Sequence, residues 1–267
     1  TLTADEILQC LYVDDGAFIC NNSRDLERLT QNLHAHFLKF GLRMHVGSGN
    51  KNSKTVAMYF PPTLEDATQS AKQNELPPTI TINEGRNSVH FVKSFKYLGA
   101  YITNTLKEDL EIKTRISKAW SVMGAMKHFF KGKDVDLRAK ALLYIGGPLN
   151  ALLWGAESWN LSKQNLNKLN VFHHSAIRWI LGINMEKVKN ERIKNTSIRK
   201  AFCNLPPVEY YIKRRVWNFI GKIVRQEHDH LPKNLMGAWI RCPRKTGQPQ
   251  KSCQNLAIST LRTMIPE

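Results

Sequence analysis

Two apolar, β-prone runs near the start, residues 8–13 and 17–20, flank the polar step Asp14-Asp15-Gly16. Asp-Gly between two such runs predicts a hairpin, with both aspartates at or beside its tip. Leu26, Leu29, Leu33, Phe37 and Phe40 then recur at spacings of three and four, which predicts an amphipathic helix. Ser23 is its expected N-cap, Asp25 falls in its first turn, and Gly41 is its expected stop. The apolar stripe of that helix should lie on a sheet. Short strands are predicted at Leu42–Val46, Thr55–Phe60, Thr79–Ile82, Val89–Val92 and Tyr97–Thr103. Pro61-Pro62 and Pro77-Pro78 break the stretch between them, and Leu64–Leu76 reads as a polar excursion or short helix. Residues 1–105 are thus expected to be α+β.

From Leu106 the period becomes helical. Leu106, Leu110, Ile116, Trp120, Met123 and Phe130 predict one long helix, with Lys113, Arg115, Lys118 and Lys127 on its other faces. Asp134 or Asp136 could cap a second helix running through Ile145. The uncharged stretch Ala141–Ala156 is broken by Gly146-Gly147-Pro148 and predicts buried helix, turn and buried segment; it is too short to span a membrane. A third helix is predicted from Lys163 to Leu181, stopped by Gly182, and a fourth over Val208–Val224, carrying Lys213, Arg214, Arg215 and Lys222. The Pro/Gly-punctuated basic tail from Pro243 to Lys251 is expected to be loose, with one more short helix after it.

Charge sharpens this division. Residues 1–110 carry 11 Lys and Arg against 12 Asp and Glu, whereas residues 111–267 carry 28 against 10. A neutral module is therefore joined to a basic one of net charge +18, and charge of that size and sign suits a polyanionic partner, nucleic acid above all. The five cysteines are odd in number and form no C-x-x-C, so neither a disulfide framework nor a zinc site is expected. His228, His230, Cys242 and Cys253 match no usual metal spacing either. A reducing, intracellular setting fits best, and no membrane partner or secretory signal is expected. The chain opens on Thr1 inside what the pattern predicts as an element, so a fragment of a longer protein is expected.

Adjacent carboxylates at a hairpin tip suit Mg²⁺, which takes one or two carboxylates completed by phosphates and water. Taken alone, Tyr12-Val13-Asp14-Asp15 would equally suit a plain surface turn.

The residues downstream bear on that choice. In order come "FGLRMHVGSGNKNSKTVAMYFPP" (Phe40–Pro62), "FVKSFKYLGAYIT" (Phe91–Thr103), "EIKTRISKAW" (Glu111–Trp120), "LLWGAESWNL" (Leu152–Leu161) and "FHHSAIRWILGIN" (Phe172–Asn184). They are followed by "PPVEYYIKRRVWNFIGKIVRQEHDHLPKNL" and "RKTGQPQKS". This ordered series, which covers nearly the whole chain, resembles the reverse transcriptases of non-LTR (LINE-like) retrotransposons.

The resemblance implies an α+β fold: the C-terminal part of a polymerase palm over residues 1–105, a helical thumb over 106–200, and a basic C-terminal extension over 201–267. It implies RNA-directed DNA polymerase chemistry, with Mg²⁺, dNTPs, an RNA template and a DNA primer or target, in the cytoplasm and nucleus. Asp14 and Asp15 match the catalytic aspartate pair and metal ligands, and Lys54, followed by Thr55, matches a lysine that is the candidate acid for pyrophosphate. Phe95, Lys96, Tyr97, Leu98 and Gly99 match the primer grip, a hairpin that holds the primer end; as bare residues they would also make an ordinary amphipathic strand. In the basic half, Lys113, Arg115, Lys118, Lys127, Lys213, Arg214, Arg215 and Lys222 are the expected phosphate contacts. Trp154 and Trp159 could stack on bases but are assigned to core.

The pattern departs from the family in places. Only thirteen residues precede Asp14, and Asp5 is too close in sequence to replace the strand-borne aspartate of the family's upstream motif. The chain taken alone is therefore expected to lack polymerase activity, and a non-catalytic nucleic-acid-binding protein is the alternative. Ile145-Gly146-Gly147 and Asn150 fall where ungapped helix is usual, and Lys222 stands where histidine is usual.

Overall fold

A computed structural model of the chain describes residues 9–12, 14–46, 53–61, 77–82, 87–228 and 230–237. The architecture is α+β, with every named strand among the described residues in the first of two compact units, which divide between Lys107 and Glu108. The expected excursion at Leu64–Leu76, the tail after Pro243, Cys242 and Cys253 lie outside the described residues.

The first unit opens with an antiparallel hairpin, β1 (Gln9–Tyr12) and β2 (Asp15–Phe18). Tyr12 pairs with Asp15, Asp14 lies in the turn just before it, and Gly16 is already in the ladder opposite Leu11. Helix α1 (Ser23–Lys39) follows. Its N-cap is Asn22 rather than Ser23: the Asn22 side chain accepts from the Asp25 amide at 2.8 Å, three residues on, as capping geometry demands. Gly41, at φ 73°, ends it as expected. Of the expected stripe, Leu26, Leu29, Leu33 and Phe37 are half-buried, but Phe40 lies past the last turn and is exposed.

Leu26 packs with Val46 and Phe91 against a small core of Ala57, Ile80, Ile82 and Val89. Ile80–Ile82 (β3) pairs antiparallel with Asn87–Val89 (β4). The other expected strands differ. Leu42–Val46 forms no ladder among the described residues: Leu42 is exposed, and the Thr55 amide donates to the His45 carbonyl at 3.1 Å. Thr55–Phe60 has only an isolated parallel bridge from Ala57 to Phe91, which also leaves Phe91 outside β4. Tyr97–Thr103 is no single strand but the second half of a hairpin, β5 (Ser94–Tyr97) and β6 (Ala100–Thr103). The reversal comes from Leu98 and Gly99, at φ 46° and 87°; two successive positive φ values are what a type I′ turn requires.

The second unit is helical. The long helix expected from Leu106 begins only at Asp109: Leu106 sits in a turn at φ 54° and is exposed. Helix α2 (Asp109–Ala125) ends at Met126, and α3 (Lys127–Lys131) continues beyond it to bring Phe130 into the core. Asp136, not Asp134, caps α4 (Leu137–Tyr144), accepting from the Ala139 amide at 2.6 Å. The expected turn at Gly146-Gly147-Pro148 is instead a π-helical turn, Ile145–Leu149, passing directly into α5 (Asn150–Leu152). Pro148 has no N–H and would crowd the preceding turn of an α-helix, and a wider turn relieves both. Gly147 lets that turn approach Met126: a Cβ there would lie 2.9 Å from the Met126 sulfur.

Helix α6 (Lys163–Leu181) runs as expected, capped by Ser162 and stopped by Gly182 at φ 70°. Two short helices, α7 (Met185–Asn190) and α8 (Asn195–Ala201), precede α9 (Val208–Val224), and α10 (Leu231–Gly237) follows it. Ile112, Met123, Phe130, Tyr144, Leu149, Leu169, Phe172, Ile177, Phe202 and Val208 belong to one continuous core, so residues on both sides of position 200 share it. Trp159 is buried in that core while Trp154 is exposed.

Candidate functional site

The carboxylate hairpin combines a tight reversal with open flanks. Asp14 occupies the turn, Asp15 is the first residue of β2, and both are exposed, as is Tyr12 across the ladder from Asp15. Two hard oxygen donors held at consecutive positions by the hairpin fit the first-sphere demand of Mg²⁺, whose remaining positions are commonly water and substrate phosphate. Among the described residues no group of three or more His, Cys, Asp or Glu is gathered that could hold a metal by itself. The donors fit the ion as one side of a site and do not enclose it.

Lys54 is exposed on the segment that carries the Ala57 bridge. Its backbone N–H donates to His45 Nδ1 at 3.3 Å, while the neighbouring Ser53 hydroxyl donates to the Thr55 carbonyl at 2.5 Å. No ion pair joins Lys54 to Asp14 or Asp15 among the described residues. In the β5–β6 hairpin, Phe95 and Tyr97 are half-buried, Lys96 is exposed opposite Tyr101, and Leu98 projects at the turn with 45 % of its surface accessible. A leucine held at positive φ costs about 1–2 kcal/mol relative to ordinary backbone, so a side chain is displayed here at the expense of stability.

The eight cations expected to face nucleic acid do not share one environment. Lys113, Lys127, Arg214 and Lys222 are exposed, and Lys118, Lys213 and Arg215 are half-buried. Arg115 departs from the expectation. It is buried in α2, its Nε 2.5 Å from the carboxylate of Glu111 one turn earlier, so its guanidinium is turned into the unit instead of toward a phosphate. Helical spacing alone had placed it on the outer face with Lys113 and Lys118; an i,i+4 carboxylate was the signal that could have marked it.

Arg214 and Arg215 line a cleft of about 340 Å³ with Asn150, Leu153, Tyr211 and Asn218. Arg215 donates to the Asn150 side chain, which the π turn delivers to the cleft mouth. Burial, with the neighbouring Tyr210 adding to it against the opposing Arg214 charge, pushes the Tyr211 phenol up to about 12. The ring therefore stays neutral, with an apolar face and a polar tip beside two guanidiniums. Phosphate contacts from arginine combined with an aromatic face are the means by which proteins hold strands without reading sequence. Tyr211, Asn150 and Asn218 were not legible as site residues, because the cleft joins a helix-interior Gly-Pro segment to a helix sixty residues downstream.

Behind this surface lies a buried polar pair. Tyr144 and His173 pack in the core, where burial lowers the His173 imidazole to about 3, the neighbouring His174 adding to the effect. Its ring is neutral and serves the core.

No protein-family model matches the chain, and no solved structure matches it. The chain is similar to an uncharacterized transposon-derived protein of Caenorhabditis elegans, at 24 % identity over 148 residues, covering 55 % of this chain and 52 % of that protein. The chain thus spans about half the length of that relative, and the similarity supports a transposon-related origin. Among the described residues no helix is long and apolar enough to cross a membrane.

Proposed function

We propose that the chain is the catalytic-hairpin and duplex-gripping part of a retrotransposon RNA-directed DNA polymerase. In this reading the parent protein adds dNTPs to a DNA primer 3′ end on an RNA template, with residues 1–105 ending the palm, 106–200 forming the thumb and 201–267 the C-terminal extension. The observation that carries it is the pair Asp14-Asp15, exposed in the turn and at the first strand position of an antiparallel hairpin. The transposon-related similarity supports the origin.

The roles follow from chemistry. Mg²⁺, when bound, supplies the clamp on the attacking and leaving oxygens of phosphoryl transfer. Asp14 and Asp15 give it carboxylate oxygens at a rigid tip, and a further strand-borne aspartate of the parent protein would complete the set. Lys54 offers an ammonium to the leaving pyrophosphate. The β5–β6 hairpin, with Leu98 displayed at its turn, would steady the primer end, and the exposed cations of the helical unit would neutralise duplex phosphates.

The test is primer extension on an RNA template by a protein extended upstream with the element's own coding sequence. Asp14→Ala should abolish incorporation and leave template–primer affinity unchanged. If Asp14→Ala changes nothing in a protein that binds, the polymerase reading is wrong.

One observation favours a second reading, a non-catalytic nucleic-acid-binding protein derived from such an element. The basic cleft around Arg214 and Arg215 lies wholly within the helical unit and needs no metal. Reversing Lys213, Arg214 and Arg215 should then weaken binding and flatten its salt dependence whatever happens at Asp14.

A further inference from the structure

The outer side of α9 carries a patterned stripe. Tyr210, Arg214, Trp217, Gly221 and Arg225 follow one another at spacings of four, three, four and four, ending on the C-cap. At about 100° of turn per residue, these five share one side of the helix. The buried residues Val208, Val216 and Ile223 take the opposite side. The stripe is therefore not core: Tyr210 and Trp217 keep 41 % and 39 % of their surfaces accessible, and Arg214 and Arg225 are exposed. Of the five, the sequence pattern marks only Arg214 as a site residue.

Two contacts set these side chains in place. Tyr210 packs edge-on against Tyr211, with ring centroids 5.6 Å apart. Tyr211 and Arg214 both line the cleft described above, so stripe and cleft are continuous. The Arg225 guanidinium folds back over Gly221: a Cβ at that glycine would lie 3.3 Å from Arg225 Nη1. The missing side chain lets the guanidinium lie along the helix, a turn beyond Trp217.

Charge narrows what such a face accepts. Among the described residues no ion pair joins Arg214 or Arg225 to a carboxylate, and Lys222 is exposed on the flank. Glu209, the one carboxylate of α9, lies off the stripe. It belongs to the wall of a second cleft, with Arg178 and Arg199, where α6, α8 and α9 meet, and it accepts from Asn170 Nδ2 at 2.6 Å. A face of cations without carboxylates suits a polyanion, and it repels a second copy of a chain of net charge +17.

The rings between those cations add a demand that phosphates alone do not meet, which is for flat apolar faces. A nucleic-acid duplex stacks its base faces on each other and offers the rings only its backbone. A single strand offers phosphates and free base faces together. Tyr210 and Trp217 stand seven residues apart, about 10 Å along the helix, a span of about three nucleotide steps.

We propose that the outer face of α9 is a track for single-stranded nucleic acid, with bases stacked on Tyr210 and Trp217 and phosphates held by Arg214 and Arg225. The proposal rests on the nucleic-acid-binding reading above and deepens it, because the rings add recognition of unpaired bases to neutralisation of phosphates. Base faces are common to RNA and DNA, so a strand of either sugar is a ligand.

The test is fluorescence anisotropy of the whole chain with a 12-nucleotide RNA, the DNA strand of the same sequence and the corresponding DNA duplex, across a salt series. Tyr210→Ala and Trp217→Ala should each weaken binding of both single strands about tenfold, the size of one base stacked on a ring, and leave duplex affinity within twofold. Arg225→Ala should reduce the single-strand salt slope by about 0.7. Trp217→Phe, which keeps a ring and the fold, should retain most of the affinity. The tryptophan quenching seen when a strand is added to the unaltered chain should shrink in that variant.

Equal losses on single strands and duplex overturn the proposal, because the rings would then be acting through the fold or the backbone. Losses confined to one sugar also overturn it, in favour of sugar recognition. So does an oligomer in the unaltered chain that Trp217→Ala dissolves in sedimentation without nucleic acid, which would make the stripe a contact between copies. Single-strand binding insensitive to Tyr210→Ala, Trp217→Ala and Arg225→Ala, but lost on reversing Lys213, Arg214 and Arg215, overturns the track and leaves the nucleic-acid reading standing. A chain that binds none of the three probes sinks that broader reading itself.

Discussion

The Tyr144 hydroxyl lies 2.8 Å from His173 Nδ1, and His173 Nε2 lies 3.2 Å from the Pro206 carbonyl. One imidazole, accepting on one side and donating on the other, thereby ties α4 and α6 to the loop that enters α9. That arrangement needs neutral His173, and only Nε2 carries the proton. The folded group is depressed to about 3 from its ordinary 6.5, so between those values the unfolded chain binds more protons. Stability of the helical unit should be full above about pH 6.5 and fall as pH drops toward 3, at up to about 1.4 kcal/mol per pH unit from this group. His174 is also lowered, chiefly by burial, and acts in the same direction. Urea unfolding followed by tryptophan fluorescence between pH 7 and 4 reads this directly. His173→Leu should cost about 1–3 kcal/mol at neutral pH by stranding both partners, and should flatten the acid limb to what His174 supplies. An unchanged acid limb in that variant would show that the titration lies elsewhere.

Glu111 and Arg115 make a buried pair, with 4 % and 6 % of their side-chain surfaces accessible. Removing one partner takes from a buried charge the opposite charge one turn away, so Arg115→Ala and Glu111→Ala should each destabilise by about 3–5 kcal/mol. Replacing both together, as Glu111→Leu with Arg115→Met, should cost less than either single change. A double-mutant cycle by denaturant unfolding tests this, and independent, additive losses would refute it.

The π turn yields a contrast between adjacent glycines. A Cβ at Gly146 meets nothing within 4 Å, whereas one at Gly147 would meet the Met126 sulfur at 2.9 Å. Gly146→Ala should therefore stabilise by about 0.5–1 kcal/mol through reduced freedom of the unfolded chain. Gly147→Ala should lose that gain and more, because Met126 packs against the core and must shift. Thermal midpoints moving in the same direction for both variants would rule the distinction out.

What could be read from the sequence followed from how local its cause was. Helices Lys163–Leu181 and Val208–Val224 match the expected bounds, because the apolar period is local to each, and the first also has its Ser162 cap and Gly182 stop beside it. The carboxylate hairpin was legible as a hairpin, but its Asp-Gly step stands in β2, and the reversal comes before Asp15. Where tertiary partners decide, the pattern misled. Leu42–Val46 has strand-like composition but no neighbouring strand among the described residues, and Leu98 adopts a backbone conformation that its type disfavours. Pro148 signalled a break that the wider turn absorbs. Neither cleft was visible, because one joins the π turn and α5 to α9 and the other gathers residues from three separate segments; Arg178, Arg199 and Glu209 are unremarkable helix residues until α6, α8 and α9 are brought together.

Leu98 offers a prediction in which stability and function separate. Asn tolerates positive φ and, followed by Gly99, makes a favoured two-residue hairpin turn. Leu98→Asn should therefore stabilise the β5–β6 hairpin by about 1 kcal/mol, seen as slower amide exchange along Ser94–Thr103. Under the proposed function the exposed leucine is there to touch the primer end, so the same change should reduce extension in the upstream-extended protein. A gain in protection without loss of extension would make Leu98 a tolerated imperfection with no role at the primer.

Arg115 and Arg214 turn the charge argument into a measurement. Both are cations of the basic half, and counting alone makes them equal. Arg214 is exposed at the cleft with Tyr211, while Arg115 is buried against Glu111. Each phosphate contact adds roughly 0.7–0.9 to the slope of log affinity against log salt. Arg214→Ala should lower that slope by about that amount on single-stranded or duplex nucleic acid, with stability within about 0.5 kcal/mol of the parent, as for an ordinary surface change. Arg115→Ala should do the reverse, losing stability while the folded fraction keeps the parental slope. Salt titrations of both variants at a temperature where both are folded decide it. If Arg115→Ala lowers the slope as much as Arg214→Ala, the +18 charge acts as a diffuse field, and the exposed cleft has no special part in binding.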